Sequence, residues 1–353
     1  MKETVSTPPR NRFESLDGLR AYSAIGIVVM HVLLNLHDKP NMGLLSEKII
    51  PWFANLVLLF MVISAFSMCC GYYERIKKGK ILPSDFYKKR YHRTLPFFAL
   101  MVMISFFMEP SLDTFCQSFA NLTMCFNLLP NPQIEVIGVG WFLGTVFTFY
   151  MLFPFFVFLL DNKKRGWIVL GVSLIFSVIT MTYFSNPEMV VKPVNRVNII
   201  VSSPFFVVGG LVYLYRQKIK VFWVNKSIIL LAVVILLTSL RFVFPLNGIG
   251  ALSDLIVFGG WLIYAICNNH KWLSNRVVTY LSGISMEIYL CHMMFFRVVE
   301  KLSFDSLSNN MVLNYSLASF LTLGMAIVFS HVVKYKCFPK VIDSLRKLKA
   351  LTF

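Results

Sequence analysis

A chain of 353 residues that is 57% hydrophobic and only 14% charged, with a mean hydropathy of +0.67, lies outside the range of soluble domains, which are about 45–50% apolar and about 25% charged. The composition predicts an all-α, polytopic integral membrane protein with one domain over residues 1–353. The net charge of +17 does not mark a nucleic-acid binder, because the basic residues fall in loops between apolar runs, where they set topology. The seven cysteines (Cys69, Cys70, Cys116, Cys125, Cys267, Cys291 and Cys337) form no CxxC and no Cys/His spacing suited to zinc, so they read as small packing residues and no metal is expected.

In chain order, a polar tail (residues 1–15) precedes a first apolar run at 18–36, which reads as a signal anchor rather than a cleaved leader. Further spans are expected at 51–71, 94–109, 139–160, 167–185, 198–215, 227–244, 250–268, 279–298 and 311–333. A basic loop fills 72–93 and a basic tail fills 334–353. The stretch 114–130 is apolar enough to be a span, and charge bias decides against it. Left outside the count, it gives ten transmembrane helices with both termini cytoplasmic, and 27 of the 34 Lys and Arg fall inside. It is therefore expected to be an outer interfacial helix or a re-entrant segment.

The first span carries a polar stripe. Arg20 and His31 are eleven residues apart, so on a helix their directions differ by about 20° and their depths by about 16 Å. Asp17 lies on the same face, about 40° from His31. An ionisable group inside a membrane costs several kcal/mol and faces a bundle interior or a wet cavity. A histidine there either bonds a neighbouring helix or does chemistry. Glu287, about 16 Å from Arg276 along a continuous helix, is expected at mid-membrane too. It would orient His31, accept a proton, or be protonated and bonded to a neighbour. Tyr289 and His292 share a face. They form a packing pair or an acceptor-binding pair. Asp254, near an outer helix end, would bind a sugar hydroxyl or be solvated.

Four landmarks in order resemble the acyltransferase type 3 family, integral-membrane enzymes that acylate sugars and other surface molecules. The first is Leu16-Asp17-Gly18-Leu19-Arg20 followed by His31. The second is Arg90 and Arg93 with Pro96. The third is WFLGTVFTFYMLFP, with Trp141, Tyr150 and Pro154. The fourth is Ile284 to His292, ISMEIYLCH. Family members often carry Ser and Glu in the third landmark, where this chain has Phe142, Gly144, Val146 and Phe147. Ala65 replaces a usual glycine and Met286 a common tyrosine. No hydrolase-like domain follows, so transfer is expected to be completed within the membrane domain.

The resemblance implies an O-acyltransferase of the bacterial inner membrane. It would move an acyl group, acetyl above all, from cytoplasmic acyl-coenzyme A to a hydroxyl of a cell-surface polysaccharide or lipid-linked glycan precursor. Acyl transfer to a hydroxyl needs a base, and a neutral imidazole with a pKa near 6.5 suits that task. His31 is the candidate base and Glu287 a second catalytic candidate. Arg20, Arg90 and Arg93 are candidates for the phosphates of the donor, since guanidinium forks match phosphate oxygens. Asp17, Trp141, Tyr289 and His292 are candidates for substrate binding. The expected partners are the lipid bilayer, a coenzyme A thioester and a glycan acceptor, with a homo-oligomer open. Two rival readings are a transporter or flippase of glycan precursors and a membrane partner without activity.

Overall fold

The computed structural model describes residues 13–128, 136–183, 198–243, 250–304, 306–341 and 343. Most of the N-terminal tail, residue 342 and residues 344–353 of the C-terminal tail, and Lys192 and Arg196 of the expected outer side lie outside the described residues. In lipid every backbone polar group must be satisfied within the segment, so apolar runs become helices. In order these are α1 (Ser15–Asn35), α2 (Leu45–Lys77), α3 (Pro83–Met108), α4 (Leu112–Leu122), α5 (Trp141–Leu159), α6 (Lys163–Tyr183), α7 (Ile199–Trp223), α8 (Ser227–Val243), α9 (Gly250–Cys267), α10 (Arg276–Gly283), α11 (Ser285–Lys301) and α12 (Met311–Val341). Among the described residues there is no strand. Eight of the helices are long and apolar enough to cross a membrane. The two further spans expected from the sequence fall on α8, of 17 residues, and on the α10–α11 pair.

The first helix is the centre of the bundle. Its apolar window is 72% buried, against 17% for α6 at the rim. It packs on α2, α9, α10, α11, α12 and the short turn Lys271–Ser274. Between apolar helices in lipid, close packing rather than water exclusion drives association, and small residues permit it. A Cβ added to Gly18 would lie 2.7 Å from both Cα and the carbonyl oxygen of Leu273. The glycine of the first landmark therefore lets α1 abut the Lys271–Ser274 turn. Gly209 plays the same part where α7 meets the α2 backbone at Val62.

Two expectations change, and a third takes a more definite form. First, the basic stretch before the third span is not a loop: Pro83 opens α3 after an extended Leu82, a position where its missing N–H costs nothing. Arg90 and Arg93 consequently stand on a continuous helix. Second, residues 279–298 do not form one straight helix. The chain breaks at Ile284, where α10 ends and α11 begins. Depth counted from Arg276 is therefore not depth along α11.

Third, as expected, the described part of the 114–130 stretch, residues 114–128, does not cross. Eleven residues of α4 span about 16 Å, short of a hydrocarbon core of about 30 Å. Ser111 caps the helix by accepting from the Thr114 N–H at 3.0 Å, and α4 runs back along α3. The chain turns at Met124 with φ 61°. Tyr91 donates to the Thr123 carbonyl at 3.3 Å, and Cys125 Sγ lies 3.5 Å from Met151 Sδ. Tyr91 is 17 residues before the end of α3, about 25 Å of helix. The described part of the segment thus runs from the end of α3 back into the bundle, the re-entrant form of the two expected. Its polar Ser118 and Asn121 are buried, while Leu112, Phe115 and Phe119 are exposed.

Candidate active site

Four helices bring the basic residues together at the N-terminal end of α1. Arg20 pairs with Asp17 at 3.4 Å and donates to Ser67 Oγ of α2 at 2.6 Å. Arg93 and Tyr150 both lie close enough to Arg20 to act on its charge. Arg90 donates to Tyr72 OH at 2.9 Å, and its guanidinium stands 5.0 Å from the Tyr72 ring and 5.8 Å from the Tyr150 ring. Stacked guanidinium groups are held by cation–π attraction while their N–H edges stay available. Arg20 and Arg90 are partly exposed and Arg93 is exposed. This is a mouth lined by α1, α2, α3 and α5, in which a planar fork can meet an anion.

Asp17 stands behind Arg20, its partner three residues along the same helix face. It is 6% exposed and accepts from Ser282 Oγ at 2.8 Å as well as pairing with Arg20. It ties α10 to α1 behind the arginine.

Eleven residues further along α1, His31 faces His292 of α11. The Nδ1 of His31 lies 3.1 Å from Nε2 of His292, and also 3.1 Å from the carbonyl of Ile27. The ring centroids are 4.9 Å apart. His292 is fully buried and its Nδ1 lies 2.7 Å from the Tyr289 carbonyl. These contacts assign the tautomers. A carbonyl only accepts, so His292 carries its proton on Nδ1 and presents a lone pair at Nε2. That lone pair, with the Ile27 carbonyl, calls for a proton on Nδ1 of His31. The lone pair of His31 then stands on Nε2. His31 is partly exposed, so the accessible imidazole is oriented by a buried one, as a second group orients a catalytic histidine elsewhere.

Tyr289 supports this pair from behind. Its hydroxyl donates to the Val139 carbonyl at 2.9 Å, and its ring packs at 5.2 Å on Phe142 and 5.9 Å on His292. The last residues before α5 thereby pin α11. Trp141 opens α5 beside Phe142, and its carbonyl accepts from Asn127 of the re-entrant segment at 2.8 Å. Tyr315 of α12 donates to the Val29 carbonyl at 3.2 Å, closing the other side of α1.

Glu287 is placed away from His31's ring nitrogens. It sits in the first turn of α11, 4% exposed, and its Oε1 accepts from Lys334 Nζ at 2.6 Å. Five residues before His292 on the same helix, it faces about 140° away from that residue. Asp254 is neither solvated nor open: it is 3% exposed and receives Trp52 at 2.8 Å, Asn55 at 3.0 Å and Arg241 at 3.0 Å. The structure thus unites Arg20, Arg90 and Arg93 at one end of α1, and His31, His292 and Tyr289 along it. Ser67, Tyr72, Ser282 and Lys334 carry no sequence signal, since each is a common residue type in an ordinary position. The partnership of His31 with His292 spans 261 residues, a separation no periodicity reveals.

Among the described residues no group of three or more His, Cys, Asp or Glu could hold a metal ion. No curated protein and no solved structure matches the chain significantly. A sequence model described as an acyltransferase domain matches residues 13–331, from the residues before the first landmark to the end of the last apolar run. With nearly the whole bundle covered and the mouth and the histidine pair within that range, the chain belongs to the acyltransferase type 3 family and is a multi-pass membrane acyltransferase.

Proposed function

We propose that this acyltransferase moves acetyl from coenzyme A to a hydroxyl of a cell-surface glycan or its lipid-linked precursor, in a bacterial inner membrane. The chain would cross ten times, with both termini cytoplasmic. One observation supports this above others: an accessible imidazole with its lone pair on Nε2 shares α1 with a mouth of three arginines. The arginines suit the phosphates of the donor, and about 16 Å of helix between Arg20 and His31 leaves room for a slender pantetheine arm.

On this reading Nε2 of His31 takes the proton of the acceptor hydroxyl as its oxygen bonds the thioester carbonyl carbon. His292 Nε2 accepts from Nδ1–H of His31 and stabilises the imidazolium so formed. The carbon–sulfur bond breaks, and the proton passes from Nε2 of His31 to the departing thiolate. No other group needs to change protonation.

The test is coenzyme A binding to the detergent-purified protein by thermal shift, with Arg93→Ala beside wild type. A ligand at a hundred times its dissociation constant stabilises by about 2.7 kcal/mol. The expected result is a clear upward shift in wild type that shrinks in the variant. Folded wild type that responds neither to coenzyme A nor to acetyl-coenzyme A would refute the donor assignment.

A further inference from the structure

We propose that Lys334 is a fourth cation for the phosphates of the donor, positioned for that task by Glu287. The inference rests on the coenzyme A reading above and deepens it. Lys334 lies in a widened turn of α12, Val332–Cys337, a helix form found often at functional sites. Its ammonium donates to the Gly283 carbonyl at 2.5 Å and to Glu287 Oε1 at 2.6 Å. An ammonium has three N–H donors, so one remains. The side chain is 32% exposed, whereas Glu287 is 5% exposed. The lysine side chain is thus partly open while the carboxylate is not.

The place matters as much as the charge. Gly283 follows Ser282, which bonds Asp17, which pairs with Arg20. Lys334 is thus one residue removed from the network that holds the first arginine. From the other side, Phe97 of α3 packs on Phe329 and Phe338, which flank Lys334 in α12, at 6.1 Å and 6.5 Å. Arg93 precedes Phe97 by four residues and so shares its face of α3. Arg20, Arg93 and Lys334 thus stand on α1, α3 and α12, joined to one another through these side-chain contacts.

The carboxylate shows that the arrangement is not simply a satisfied ion pair. Among the described residues Oε2 of Glu287 is buried without a hydrogen-bond partner. A half-satisfied buried ion pair is a poor stabiliser. A carboxylate in that state does hold the lysine in one geometry at the mouth. Glu287 is thereby a positioning residue for Lys334 and has no step of its own in the transfer.

The experiment measures dissociation constants for coenzyme A and dephospho-coenzyme A with wild type, Lys334→Met, Lys334→Arg and Glu287→Gln, each shown to be monodisperse. Lys334→Met is expected to weaken coenzyme A about ten-fold and to flatten its salt dependence, the loss of one charge-assisted contact. Lys334→Arg is expected to restore binding in large part. If Lys334→Met weakens only coenzyme A, the lysine meets the 3′-phosphate; if it weakens both ligands, it meets the pyrophosphate. Both outcomes support the inference. Glu287→Gln keeps a neutral acceptor for the ammonium but loses the charge that fixes it, so coenzyme A affinity should fall, by less than in Lys334→Met, with the effect on KM exceeding any effect on kcat. Lys334→Met that melts lower yet binds coenzyme A as wild type does would overturn the inference, leaving a structural pin. Loss of turnover in Glu287→Gln with unchanged binding would overturn it in favour of a catalytic carboxylate. Wild type that fails to bind coenzyme A would instead overturn the donor reading itself.

Discussion

Replacing His292 with Phe keeps a planar ring in a fully buried site and removes both of its nitrogens. The Tyr289 carbonyl loses a donor at 2.7 Å, while the Nδ1–H of His31 keeps the Ile27 carbonyl at 3.1 Å. The structural cost is that of one hydrogen bond, roughly 1 kcal/mol. The catalytic cost is larger. The lone pair that favours the Nδ1–H tautomer and steadies the imidazolium is gone; partners that fix the tautomer of a metal-bound histidine, the same task in another setting, are worth about 10–100-fold. That range corresponds to about 1.4–2.7 kcal/mol in the barrier. The assay is incorporation of label from radiolabelled acetyl-coenzyme A into the glycan fraction of membranes carrying each variant at matched abundance. His292→Phe should retain about 1–10% of wild-type incorporation. His31→Ala should retain none above background, and the double variant should fall no further, because groups that act as a unit are not additive. Wild-type incorporation by His292→Phe, or losses that multiply in the double variant, would refute the coupled pair.

Three more outcomes follow from the packing and the ion pairs. Gly18→Val should destabilise by about 1–3 kcal/mol, because a Cβ already meets the Leu273 backbone at 2.7 Å; detergent melting curves read this, and an unchanged midpoint would remove the close contact from the account. Tyr289→Phe deletes the 2.9 Å bond to Val139 and should cost about 0.5–1.5 kcal/mol. It should lower turnover through the position of His292, with coenzyme A affinity intact; a binding defect would speak against that assignment. Asp161, outside the spans, bonds Lys77 at 2.7 Å, which holds its carboxyl below the usual carboxylate range. A depressed carboxyl contributes stability above its unfolded pKa and loses it as pH falls through the folded value. Any melting difference between wild type and Asp161→Asn should therefore be present near neutral pH and vanish at low pH, below the ordinary carboxylate value; a difference that grows with acid would reverse the sign.

The arginines illustrate what pattern alone can reach. Arg20, Arg90 and Arg93 were legible because each stands beside an apolar run, and helical phase relates Arg20 to His31 without any contact. The re-entrant segment was legible in part, because charge bias argued against a crossing at 114–130. Its depth was not, since only Tyr91 and Met151 on other helices show where Thr123 and Cys125 come to rest.

Glu287 shows what depth alone leaves open. Rise along the chain puts it near mid-membrane with several possible partners. On α11 it lies five residues and about 140° from His292, and its carboxylate meets Lys334. Which neighbour a buried side chain meets depends on helix packing that hydropathy does not record. Apolarity and helical phase are local properties of the chain, so residue order alone shows a membrane bundle, its helical runs, its basic stretches and the half-buried histidine of its first helix. That His292 sets the tautomer of His31, that Asp17 is held by Ser282 and that Lys334 joins Glu287 emerges from the folded bundle alone. Those pairings are made between helices, and their register is settled by packing around Gly18 and α1 rather than by any repeat along the chain.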